Sequence, residues 1–465
     1  MMSEYLKKAA KTPETGQQET RESVESILRD IEANGESAVR KYANQFDGWA
    51  GEFAVTEEEL CRKTAELPVR VKDDIRFAHD QVRMFALEQK ASVREFEIEV
   101  SPGLTLGQRL IPCNCAGCYV PGGRFSHVAS AIMSVATAKT AGVPFVIACS
   151  PPRDVWGIPP AILYAMSISG ADHIFTLGGI QAIAAMAYGV LVDRPVDIIA
   201  GPGNKYVAEA KRILYGRVGI DVLAGPTESL ILADRAADPD LVATDMVSQA
   251  EHGVDSPVWL VTDSRDLAGA VLDKIPKVIA DLPEPDVAEA AWCNYGEVIL
   301  CASREEMVEV SNAYAAEHLH VQAKDLDWWL TRLKNYGSLF LGEECTVSYG
   351  DKASGTNHIL PTKKAARHAG GLSVAKFIKS VTYQRMTREA NRTLAPIVAR
   401  ISRLEGMEGH ALAADERLRK YFPSEKFNCG KNGRSKRISG IGHDAPPAGA
   451  ESQSGSSFHR KPGEE

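Results

Sequence analysis

Four segments of this chain set a histidine close to an amide or carboxylate: SQAEHG with Gln249 and His252, AAEHLH with Glu317 and His318, GDKASGTNHILPT with Asp351 and His358, and LEGMEGHA with Glu405 and His410. Imidazole nitrogens and carboxylate or amide oxygens are ligands for a divalent cation such as zinc. An imidazole beside a carboxylate is also an acid–base pair. Gln249 and His252 stand three apart near the end of an expected helix, so both side chains leave one face and can share a cation. Each segment alone also has a plainer reading. Gln and His at that spacing serve as surface or capping groups, Glu317 and His318 close a helix before the strand LHVQ, GDKASGTNH makes a turn-rich loop, and the glycines around His410 break a helix. Taken together the four point to one shared site, because α/β proteins place their sites in loops and at the ends of elements.

A second set of residues suits an anionic cofactor. GCYVPGGR, LGGIQAIAA and AGPGNKYVAEAK are glycine-rich turns that each lead into a helix, where free backbone amides can hold a pyrophosphate. No GxGxxG fingerprint follows an expected strand, and tight turns account for each segment equally well. Cys113, Cys115 and Cys118 lie close together, but no fourth thiol stands at zinc-site spacing, so packing or loop chemistry is expected of them and no site role.

These residues must be positioned by a larger framework. Val24, Ile27, Leu28 and Ile31 recur at helical spacing, and a further helical stretch runs through KDDIRFAHDQVRMFALEQK, so residues 1–115 read as an N-terminal helical arm and lead-in. From residue 116 short apolar runs alternate with amphipathic segments, the pattern of a parallel sheet with helices on both faces. A second such series begins at DPDLVATDMVSQAEHG, whose Asp238 and Pro239 suit an N-cap and first turn. The expected divisions are 116–233 as a first α/β domain, 234–380 as a second, 381–425 as a C-terminal helical segment and 426–465 as a disordered tail. That tail is rich in Gly, Ser, Pro and charge and offers little apolar surface to bury.

Composition narrows the class of activity. A net charge of −8 provides no broad basic field, so nucleic acid and anionic membranes are poor partners and a small molecule is the better one. No run of about eighteen apolar residues and no secretory leader is evident, and nine scattered cysteines do not form a secreted disulfide framework. A cytoplasmic location is the expectation.

In order along residues 20–423, GCYVPGGR, GGIQAIAA, AGPGNKYV, AGPTES, SQAEHG, AEHL, GTNHILPT, GGLSV and EGMEGHA closely resemble the histidinol dehydrogenase family. The resemblance implies two Rossmann-like parallel-sheet domains and a homodimer with exchanged C-terminal segments. It also implies one zinc per active site and a four-electron oxidation of an alcohol with two NAD. It places the zinc ligands on Gln249, His252, Asp351 and His410, the catalytic pair on Glu317 and His318, and NAD contacts on Tyr119, Gln181 and Asn204. Thr227 and His358 fall at substrate positions, and His410 with Glu405 would come from the partner subunit.

Several features depart from the histidine-biosynthetic members. Phe125, Ser126 and His127 follow PGGR, Thr227 replaces the usual serine, alanine precedes Glu317, and a Lys- and Arg-rich stretch follows GTNHILPT. Together they resemble the branch of the family that oxidises 2,3-dihydroxypropane-1-sulfonate to 3-sulfolactate. A sulfonate needs charged donors, and Arg124, His127, Lys363, Lys364, Arg367 and Arg385 are candidates, of which one or two are expected to reach it. Oxidation of L-histidinol to L-histidine is the alternative, and a ligand-binding member without catalysis is the third reading.

Overall fold

The computed structural model describes residues 3–11, 18–122, 126–222 and 225–430. The chain divides into two units, Met1–Glu97 with Gly107–Tyr383, and Ile98–Leu106 with the chain from Gln384 onward. It opens with strand β1 (Glu4–Lys7), helices α1 (Gln18–Asp47), α2 (Glu57–Ala65) and α3 (Val69–Ala91), and strands β2 (Phe96–Ser101) and β3 (Leu104–Pro112). A first alternating run comprises β4 (Cys115–Tyr119), α4 (Val128–Ala141), β5 (Phe145–Ser150), α5 (Pro160–Ile168), β6 (His173–Thr176), α6 (Gly179–Tyr188), β7 (Ile198–Ala200), α7 (Lys205–Leu214) and β8 (Gly219–Ile220). A second run comprises β9 (Ser229–Ala233), α8 (Pro239–Ala250), β10 (Val258–Thr262), α9 (Arg265–Ala280), α10 (Pro285–Tyr295), β11 (Glu297–Leu300), α11 (Arg304–Tyr314), β12 (His318–Gln322), α12 (Leu326–Leu330), β13 (Ser338–Leu341) and α13 (Val347–Lys352). Strand β14 (Ile378–Met386) and helices α14 (Asn391–Leu404) and α15 (Glu408–Tyr421) complete it.

The first run forms a five-stranded parallel sheet in the order β6-β5-β4-β7-β8. Both faces are covered, which is why its strands read as unbroken apolar runs such as FVIACS. Alternate residues still separate: Cys118, Val146 and Ala148 join the core under α3, α4 and α5, whereas Cys115, Ile147 and Cys149 join the core under α1, α6 and α7. Cys113, Cys115 and Cys118 are therefore reduced core residues, and burial pushes the Cys118 thiol up to about 12.

The second run forms a six-stranded sheet in the order β1-β11-β10-β9-β12-β13, parallel except for the antiparallel edge strand β1. Leu319 and Val321 of β12 face the core beneath α11 and α12. By alternation His318, His320 and Gln322 face the opposite side, where α8 packs. Asp238 caps α8 by accepting from the Asp240 amide, with Pro239 in the first turn, as its sequence suggests.

One feature differs from the sequence expectation. Residues 1–115 are not helical throughout, because β1 supplies an edge to the second sheet and β2 and β3 pair with β14 in a three-stranded sheet ordered β14-β3-β2. All of β2 is exposed, so its apolar alternation has no core to report. In the second unit α14 and α15 pack through Ala395, Ala399, Ala411, Ala414 and Leu418, and Arg403 bridges them to Asp415 at 2.6 Å. Of the tail expected at 426–465, residues 431–465 lie outside the described residues. No helix among the described residues is long and apolar enough to cross a membrane.

Candidate active site

The site is built around Glu228, the residue just before β9. Its backbone carbonyl accepts from the His318 amide at 3.1 Å, and its amide donates to Glu317 Oε2 at 3.0 Å. The backbone of one residue thus fixes both members of the Glu317–His318 pair at the start of β12, which runs in register with β9 from His318 opposite Ser229. His318 Nδ1 also lies 3.3 Å from the Glu228 carbonyl. A carbonyl can only accept, so Nδ1 carries a proton, and Nε2 is the nitrogen that presents a lone pair to the site once the imidazole is neutral. That Nε2 is buried with no hydrogen-bond partner, and Asp351 Oδ1 stands 3.5 Å away.

Asp351, near the end of α13, is where the candidate residues converge. His252 Nε2 is 3.6 Å from its Oδ2, and His358 Nδ1 is 4.0 Å from Oδ1 and 3.0 Å from the Asp351 carbonyl, to which it donates. His358 Nε2 accepts from the Ser130 hydroxyl of α4 at 2.8 Å, so both ring nitrogens are engaged. Gln249 and His252 occupy the end of α8 and the turn after it. Gln249 is 2% exposed, and its Oε1 is buried with no partner. An amide oxygen kept out of water and given no donor is a costly arrangement, and a cation is one thing that would repay it.

Burial raises the Glu317 carboxyl to about 8, with neighbouring Glu228 and Asp351 adding to the rise and His318 opposing it. For His318, burial disfavours the charge, but the Glu317 and Asp351 carboxylates outweigh it and carry the imidazole up to about 9. Burial would also raise Asp351, yet His252 and His318 hold it far below the usual carboxylate range. Burial pushes His358 down to about 4 and Glu228 up to about 7.

Among the described residues no group of three or more His, Cys, Asp or Glu side chains closes into a metal-holding cluster. Of the four expected ligands, Gln249 is an amide, and His410 belongs to the second unit. There His410 is exposed at the start of α15 and Glu405 is exposed after α14. Thr227 is half-buried beside Glu228.

The residues expected to contact NAD lie around the carboxyl ends of the five-stranded sheet. Tyr119 ends β4, and its hydroxyl accepts from the Gly179 amide at the start of α6 at 3.2 Å. Gln181 is buried and donates to Asp47 at 2.7 Å, leaving its Oε1 without a partner. Asn204 is exposed and caps α7 by accepting from the Tyr206 and Val207 amides. The Gly201–Asn204 loop is held by a buried pair that the sequence reading missed. Lys211 donates to the Gly201 carbonyl at 2.9 Å and to Asp221, and Asp221 accepts from the Gly201 amide at 2.7 Å. Gly201 has φ +126, and a Cβ there would stand 1.9 Å from the Tyr119 carbonyl oxygen, so only glycine fits.

Of the candidate sulfonate donors, His127 faces the site. Burial, helped by Lys352 and His252 and opposed by Asp351, lowers its imidazole to about 4. Lys363, Lys364 and Arg367 are exposed, the first two at positive φ, and the Lys363 amide donates to Glu228 Oε1 at 2.8 Å. Arg385 is exposed in the second unit, and Arg124 lies outside the described residues. The sequence reading also passed over Glu228. Its signal was present in AGPTES, one residue beyond the substrate position Thr227.

A family model described as histidinol dehydrogenase matches residues 10–418. A sulfopropanediol 3-dehydrogenase of Ruegeria pomeroyi is 59% identical over 435 residues, covering 93% of this chain and 100% of the relative. A histidinol dehydrogenase of Methanothermobacter thermautotrophicus is 40% identical, covering 85% of this chain and 93% of the relative. The crystal structure of histidinol dehydrogenase from Elizabethkingia anophelis superposes with a TM-score of 0.84 at 32% identity, covering 89% of this chain and 95% of that one.

Proposed function

This chain belongs to the histidinol dehydrogenase family, and we propose that it is a zinc-dependent, NAD-linked dehydrogenase that takes 2,3-dihydroxypropane-1-sulfonate through the aldehyde to 3-sulfolactate. The observation that carries this reading is the convergence of His318, His252 and His358 on Asp351, with Glu317 beside His318 and the unpartnered oxygen of Gln249 at the end of the same helix that leads to His252. The 59% identity to a sulfopropanediol 3-dehydrogenase supports the choice of substrate.

Gln249, His252 and Asp351 would hold the zinc, with His410 of the partner subunit as the fourth ligand. Bound zinc would orient the alcohol oxygen, and bound NAD would accept the hydride of each oxidation. With Asp351 committed to a cation, less negative charge faces His318, and the imidazole moves toward the neutral form that a base requires. His318 Nε2 then takes the hydroxyl proton as the alcohol becomes the aldehyde. Glu317 takes a proton from the water that adds to the aldehyde carbon, and the hydrate is oxidised to the carboxylate. Glu317, at about 8 before any cation binds, would serve as base once its proton is lost.

Residues 116–233 would form the NAD-binding Rossmann-like domain and 234–380 the zinc and catalytic domain. The homodimer with exchanged C-terminal segments is supported by the exposed apolar side of α14, where Ile397, Ile401 and Leu404 meet solvent and Leu404 is 87% exposed. His127, held neutral with its imidazole lowered to about 4, would meet the sulfonate as a hydrogen-bond donor and not as a charge, with Glu405 of the partner subunit nearby only if a cation separates the like charges. The deciding test is NADH formation with each purified alcohol. Turnover of the sulfonate diol is expected, and turnover of histidinol alone would reassign the chain to histidine biosynthesis.

A further inference from the structure

Behind the candidate site lies a second polar cluster, with His320 and Gln322 buried and Asp245 and Thr346 half-buried, that the mechanism above does not use. Asp245 sits on α8 one turn before Gln249, so the two share a face of the helix. Its Oδ2 accepts from Gln322 Nε2 at 2.7 Å and stands 3.4 Å from His320 Nδ1. Both residues belong to β12, on the face that carries His318. Its Oδ1 accepts from the Thr346 hydroxyl at 2.9 Å, and that hydroxyl caps α13, the helix that ends with Asp351 and Lys352. His320 is anchored on its other side, its Nε2 donating to the Gly342 carbonyl at 2.9 Å.

One carboxylate therefore reaches the three elements that carry Gln249, His318 and Asp351, and does so through side chains that touch neither substrate nor metal. We propose that Asp245 is a positioning residue that locks α8, β12 and the α13 cap in the relative placement the active site requires. Without it the Gln322 amide and the Thr346 hydroxyl lose their half-buried acceptor, and α13 loses the partner that steadies its first turn. Partners of this kind around a metal site typically change its affinity by about 10- to 100-fold.

The effect on metal affinity rests on the zinc reading above, whereas the effect on α13 does not, and the test keeps them apart. Hydrogen exchange of the metal-free protein is measured first. In Asp245→Ala the amides of Val347–Lys352 are expected to exchange about tenfold faster or more, with Thr346→Val following and Thr346→Ser restoring the wild-type rate. Zinc ion titrated alone is then expected to bind at least about tenfold more weakly to Asp245→Ala. Ile275→Val, which trims the core beneath α9, is the stability control and should leave both readings unchanged. If Asp245→Ala does not fold, Asp245→Asn and Thr346→Val each remove one arm of the bridge and are read in the same way. Unchanged α13 exchange in these variants, or equal acceleration in Ile275→Val, overturns the proposal. If the wild type binds no zinc while α13 still responds, the metal reading falls and the bracing role stands.

Discussion

The two larger sheets present opposite ends of their parallel strands to their candidate chemistry. In the five-stranded sheet Tyr119 closes β4, while Gln181 and Asn204 lie just beyond the ends of β6 and β7. In the six-stranded sheet His318 is the first residue of β12 and Glu228 immediately precedes β9. The electrostatic consequences differ. Carboxyl ends of strands lead into helix N-termini, here those of α6 and α7, whose free amides favour an anion such as a pyrophosphate. The amino ends follow helix C-termini: α11 finishes at Tyr314 just before Glu317, and Gln249 lies in the last turn of α8. Helix C-terminal carbonyls favour positive charge, so that edge suits a cation. A usual rule sends ligands to the carboxyl ends of parallel strands. Here the rule describes the sheet assigned to NAD, and the sheet assigned to proton transfer departs from it.

If the amino edge performs the chemistry, its variants should affect kcat, and those at the other edge should affect KM for NAD. The largest effect is expected from His318→Asn, which should lower kcat about a thousandfold with KM for NAD little changed, as measured by initial rates. A comparable rise in KM for NAD would erase the contrast between the edges. Glu317→Gln should slow aldehyde oxidation about a hundredfold and alcohol oxidation about tenfold or less. Stopped-flow of the two half-reactions decides this, and equal losses in both would remove Glu317 from the second step.

Glu228 yields a prediction about stability. Its folded pKa of about 7 lies above the ordinary 4.5, so the folded state binds more protons between those values. Stability should fall by about 1–3 kcal/mol as pH rises through that window and level off above it. Thermal midpoints of the wild type and Glu228→Gln from pH 4 to 8 test the sign, since the variant should lack this component of the slope. The smallest effect is expected from Asn204→Ala, which removes the α7 cap. It should cost about 1 kcal/mol and raise KM for NAD a few-fold with kcat nearly constant. A fall in kcat at saturating NAD would assign the loop a catalytic part.

The α/β architecture was legible because strands buried on both faces must be apolar throughout, as FVIACS and SLILA are. The small sheet was not, since β2 is exposed along its whole length and β14 carries Lys379, Arg385 and other polar residues without a clear period. Within the site, Gln249 and His252 were visible through helical spacing, and Glu317 with His318 through adjacency. Asp245 and His320 obey the same periodicities, four residues before Gln249 and two after His318, but a period identifies a face and not the partner it meets. Lys211 and Asp221 were harder still. They are ten residues apart on different elements, and the backbone of Gly201 joins them.

The short strand β1 also bears on how this protein should be handled. By pairing with β11, and with Lys7 donating to the carbonyls of Trp292 and Gly296, residues 4–7 cover what would otherwise be a bare edge of the six-stranded sheet. Deleting the first ten residues would expose that edge to other molecules. The resulting aggregation would then reflect intermolecular strand pairing and not damage to the distant active-site residues.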